Sequence, residues 1–124
     1  MGIPKNVKIG GISYIGYKLT VSATPGDYVL NSSISGNAAV NSVSITPDKY
    51  GAGDNYKLEH IVSGTVNQTI CNTIYNIGAG VSMNFDFASM QKILANETLR
   101  LTYTNVASTA MNVYMHVERI GTRG

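Results

Sequence analysis

The chain has 124 residues, a single-domain length, and a domain of this size buries a core without help from a metal or a disulfide. Only 13% of the residues are charged and the net charge is +2, against roughly 25% charged residues in an average soluble protein; so little basic charge does not imply a nucleic-acid partner. The single cysteine, Cys71, excludes an internal disulfide, and no apolar run reaches membrane-spanning length.

The polar surface must then come from Asn, Ser and Thr, which suits broad neutral contacts. Cys71 sits in Ile70-Cys71-Asn72 and reads as a small buried hydrophobe. Lack of disulfides favours assembly in a reducing compartment, and Met1 to Lys8 contain no apolar stretch of the kind a secretory leader needs.

In chain order, Gly10-Gly11 sets off Val7 to Ile9 as a separate arm. Ile15, Tyr17, Leu19, Val21 and Ala23 then alternate with polar positions, a period of two that predicts a strand. Thr24-Pro25-Gly26-Asp27 predicts a type II turn, with proline presetting φ and glycine accepting a positive one. A short strand is expected over 28–34, closed by Ser35-Gly36-Asn37. Residues 39–46 alternate weakly, with Val43 and Ile45 on one face, and Pro47 ends the run.

Residues 47–55 form the most loop-like stretch. Alternation resumes with Tyr56, Leu58, His60 and Val62, and Gly64 breaks it. Residues 65–77 are rich in β-branched side chains, with Val66, Ile70 and Ile74 on one parity, before Gly78-Ala79-Gly80 turns the chain. Val81, Met83, Phe85 and Phe87 make a clean alternation. Over 88–96 the period of two fails; Met90, Ile93 and Leu94 fall at spacings of three and four, which predicts a short helical turn. Leu99, Leu101 and Tyr103 form one strand face, and Met111, Val113, Met115 and Val117 another. The short polar segment between them predicts a hairpin.

This is about eight strands with regular turn signals, the pattern of an all-β fold. The expected fold is an antiparallel sandwich of two sheets, a jelly roll, with residues 1–124 as one domain carrying short N- and C-terminal arms.

Catalytic patterns find little support. His60 and His116 fall in different strands and read as surface or strand-edge residues; they make a site with Glu59 and Glu118 only if those strands pair. Asp48 and Asp54 share a glycine-rich loop with Asn55, but the alternate ligands and closing glutamate of a calcium loop are missing. Gly51-Ala-Gly53 and Gly78-Ala-Gly80 start like dinucleotide fingerprints, yet Tyr56 and Met83 stand where the third glycine belongs. No Walker loop and no nucleophile elbow occurs. The expectation is a protein without catalytic residues, metal or cofactor. Eight tyrosines and no tryptophan make up an unusual aromatic set, and Tyr50 and Tyr56 flank the glycine loop like a sugar-stacking platform.

A small all-β chain with a neutral polar surface, no disulfide and no catalytic constellation resembles the jelly-roll decoration, or cement, proteins on the heads of tailed phages. The resemblance lies in size and strand texture over the whole chain and carries no motif. It implies a virion protein made in the host cytoplasm. Such a protein binds the major capsid protein and copies of itself and staples a shell by many repeated contacts, without nucleic acid or membrane. The expected clamps are the terminal arms, with Ile3, Lys5, Lys8, Arg119 and Arg123 as contact residues. The alternative is a carbohydrate- or receptor-binding module of a phage tail or extracellular protein, with Tyr50, Asp54 and Tyr56 at the ligand.

Overall fold

The computed structural model of the protein describes residues 12–33, 38–93 and 98–121. Eight strands run through them: β1 (Ile12–Val21), β2 (Gly26–Ser33), β3 (Ala38–Pro47), β4 (Asn55–Val62), β5 (Thr65–Tyr75), β6 (Met83–Ile93), β7 (Thr98–Asn105) and β8 (Met111–Gly121). One sheet has the order β1-β8-β3-β6 and the other β2-β7-β4-β5, and every pairing is antiparallel. This is the expected sandwich with jelly-roll connections. The strands pair β1 with β8, β2 with β7, β3 with β6 and β4 with β5. The first half of the chain therefore lies along the second half in reverse, as one long hairpin folded across itself.

The tip of that hairpin is Ser63-Gly64, with φ of 51° and 77°. Two successive left-handed residues make the turn whose twist matches antiparallel strands, and glycine takes the second position without a Cβ penalty. The inner faces of the sheets meet in one core that includes Val21, Val43, Leu58, Leu101, Val113 and Met115. Tyr56 and Tyr103 stack inside it, ring centroids 6.3 Å apart at 14°. The alternations on β1, β7 and β8 do fill this core, as their period requires.

Four expectations need correction. First, β7 and β8 are not a hairpin. They belong to different sheets, and the 106–110 segment crosses between sheets that stack roughly 10 Å apart. A short polar link has the same appearance in either arrangement. Second, no helical turn occurs at 88–93, where β6 continues. Opposite Val40 and Ser42 the ladder jumps from Gln91 to Asp86, so extra residues on β6 break the alternation as a bulge does; residues 94–96 lie outside the described residues. Third, His60 is not a surface residue but 3% exposed, on the parity of Tyr56 and Leu58, with Nδ1 3.2 Å from Asn67 Nδ2. Fourth, Gly26 opens β2 with φ of 146°, well away from the type II turn value near +80°.

Bulges explain the weaker patterns as well. Val40 and Val43 are both buried despite opposite parity, because the β3 register shifts between Val40 and Ser42. On β5 the register against β4 shifts three times, which leaves Val66 exposed while Ile70 and Ile74 pack on the core. Thr73, at φ 55°, lies inside one of those shifts.

Leu101 lies on β7 between β2 and β4 and is fully buried. Leu101→Ala is expected to cost about 3 kcal/mol in urea denaturation. A loss below about 1 kcal/mol would mean that the two sheets do not close over this position.

Candidate interaction surface

The antiparallel ladders place the connections at two opposite ends. Val21 faces Met111, Gly26 faces Asn105, Pro47 faces Val113 and Asn55 faces Tyr75, so the 22–25, 48–54, 76–82 and 106–110 loops share one end. Ile12, Ser33, Ala38, Ile93, Thr98 and Gly121 lie at the other, where the chain passes out of the described residues.

At the first end a buried carboxylate joins three of the loops. Asp54 is 0% exposed. Its Oδ1 accepts from the Val106 and Ala107 amides at 2.6 and 2.8 Å, and its Oδ2 from the Tyr103 hydroxyl at 2.7 Å. Its backbone accepts from the Asn76 amide at 2.9 Å and donates to Gly51 O at 3.1 Å. Asn76 Nδ2 donates to Lys49 O at 2.8 Å and to the Tyr103 hydroxyl at 2.9 Å, while Asn76 Oδ1 accepts from the Gly78 amide at 3.1 Å. Charge-assisted bonds of this kind are roughly twice as strong as neutral ones. Gly51 makes room for the carboxylate: a Cβ there would stand 2.0 Å from Asp54 Oδ2.

Other bonds complete the frame. The Asp48 amide donates to Asn112 O and Asp48 Oδ1 accepts from the Asn112 amide, both at 2.9 Å; the Gly80 amide donates to Pro47 O at 2.8 Å. Asn105 Nδ2 donates to Ser22 O at 2.8 Å, and Asn105 Oδ1 accepts from the Ser108 amide at 3.0 Å, which brings in the fourth loop. The Tyr28 hydroxyl donates to Thr24 O at 2.6 Å. Among the described residues no buried side-chain nitrogen or oxygen is left without a partner.

These bonds turn the polar atoms inward and leave apolar side chains outside. Tyr50, Tyr75, Ile77, Val81 and Val106 all lie at this end; among the described residues, the other exposed large apolar side chains are Val29 and Val66. Ile77 is 66% exposed. An exposed alanine stands on each of the four loops: Ala23, Ala52, Ala79 and Ala110. The charged residues of the loops are Asp48, Lys49 and Asp54, and the first and last are engaged as described. Lys49 is the exposed charge among them.

Of the expected ligand residues, Tyr50 is 56% exposed, while Asp54 and Tyr56 are buried at 0% and 1% and meet no solvent. The proposed group of Glu59, His60, His116 and Glu118 is not assembled, because β4 and β8 belong to different sheets. His116 stands over Gly16 on one outer face, and Glu59 pairs with Arg100 at 2.9 Å on the other sheet. Among the described residues no three His, Cys, Asp or Glu side chains gather and no cavity opens. Ile3, Lys5, Lys8 and Arg123 lie outside the described residues. Arg119 lies opposite Ser13 and Val40 in β8, and its side chain is outside the description too. Tyr75, Ile77, Val81 and Val106 were not among the expected site residues. Ile77 and Val81 carry a sequence signal, apolar residues flanking the Gly78-Ala-Gly80 turn where side chains are usually polar; Tyr75 at a strand end and Val106 in a glycine-free link carry none.

Compared with known proteins, the chain matches no family model and no curated protein.

Burial pushes the Tyr56 and Tyr103 phenols and the Cys71 thiol above their ordinary ranges; at Tyr103 the Asn76 bond opposes the rise and Asp54 adds to it. In the unfolded chain, cysteine loses its proton near pH 9 and tyrosine near pH 10. Above these values the unfolded state holds fewer protons than the folded one, so stability is complete at neutral pH and falls as pH rises. The slope is expected to be about 1.4 kcal/mol per pH unit for each group. Tyr56→Phe should flatten the fall of the urea midpoint above pH 10 by about one group; an unchanged slope would mean that Tyr56 ionises freely in the folded protein. Separately, Gly51→Ala should cost about 2–4 kcal/mol by driving Asp54 off its donors. A neutral outcome in thermal melts would rule out that packing.

Proposed function

We propose that this protein is a non-enzymatic structural component of a virion: a capsid decoration, or cement, protein of a tailed bacteriophage. It acts in the assembled particle after synthesis in the host cytoplasm. Its partners are the major capsid protein and copies of itself, and the effect is shell stabilisation through many weak identical contacts.

The observation that carries the reading is the loop end. A fold needed only for its own stability does not require exposed Tyr50, Ile77 and Val106 on a hydrogen-bonded frame. Contiguous exposed apolar surface marks an interaction site, and tyrosine is enriched at such sites. The jelly roll is also an architecture that capsid and lectin domains share, which agrees with the reading without selecting it. The arms expected from the sequence lie outside the described residues and remain part of the proposal as a second set of contacts.

Tyr50 favours one other reading, a carbohydrate-binding module that stacks a sugar on the exposed ring. On a glycan panel, binding abolished by Tyr50→Ala would replace the structural reading with this one.

The direct test is copy number. Large particles are pelleted from the native source and this chain is quantified by mass spectrometry against the most abundant shell protein. The expected result is a simple fraction of the shell subunit. A few copies per particle would move the protein to the tail, and absence from the pellet would discard the virion reading.

A further inference from the structure

We draw no further inference here: the strongest candidate, the exposed apolar patch of Tyr50, Ile77 and Val106 at the loop end of the sandwich, belongs to the surface already described, and nothing in the structure shows what covers it.

Discussion

The Asp54 carboxylate is the constraint on which the loop end depends. A buried charge is costly unless its acceptor capacity is filled, and three donors fill it here, the Tyr103 hydroxyl from β7 and the Val106 and Ala107 amides from the loop that follows. Once Asp54 is fixed, the 48–54 loop has one position relative to Tyr103 and Val106. Asn76 then has one way to meet both Lys49 and Tyr103, and the 76–82 loop follows it. Four loops that would otherwise move separately become one surface. The glycine at 51 belongs to this device as much as the aspartate does, because any side chain there would occupy the carboxylate's place.

Much of the fold was legible in the sequence because strand period is a local property. Leu99, Leu101 and Tyr103, and Met111 to Val117, point inward simply because alternate residues share a face. Pairing is not local. Whether 98–105 lies beside 111–121 or beneath it depends on which other strands compete for each edge, and the link between them is silent on the matter. Bulges are illegible for a related reason. The extra residues on β5 and β6 satisfy neighbours far away in sequence, so in isolation they look like lost periodicity or a turn of helix. The candidate surface was half legible. Tyr50 was picked out with Asp54 and Tyr56, but the three share a loop and not a surface: one side chain faces water and two face the core.

The two ends of the sandwich divide the molecule's chemistry. At one, polar atoms are turned inward and apolar groups outward, the inverse of an ordinary loop region. At the other, β1 begins at Ile12 and β8 ends at Gly121. The faces between them are mixed: Ser42, Ser44 and His116 stand in one sheet, and Thr98, Thr104 and the Glu59–Arg100 pair in the other.

The long-hairpin path has a consequence for how the chain acquires its structure. Ser63-Gly64 lies near the middle of the sequence and closes the ladder with the shortest loop. Each further pairing, β3 with β6, β2 with β7 and β1 with β8, brings together residues farther apart in sequence. Closing the larger loops costs more chain entropy, though only logarithmically, unless the inner pairs have already shortened them. A topology so rich in non-local pairs is expected to fold slowly for its size, with the inner pairs forming before the outer ones. During synthesis β1 emerges before the other seven described strands and waits longest, since its partner β8 is the last of the eight to leave the ribosome. For most of that time Ile15, Leu19 and Val21 are apolar groups without a core.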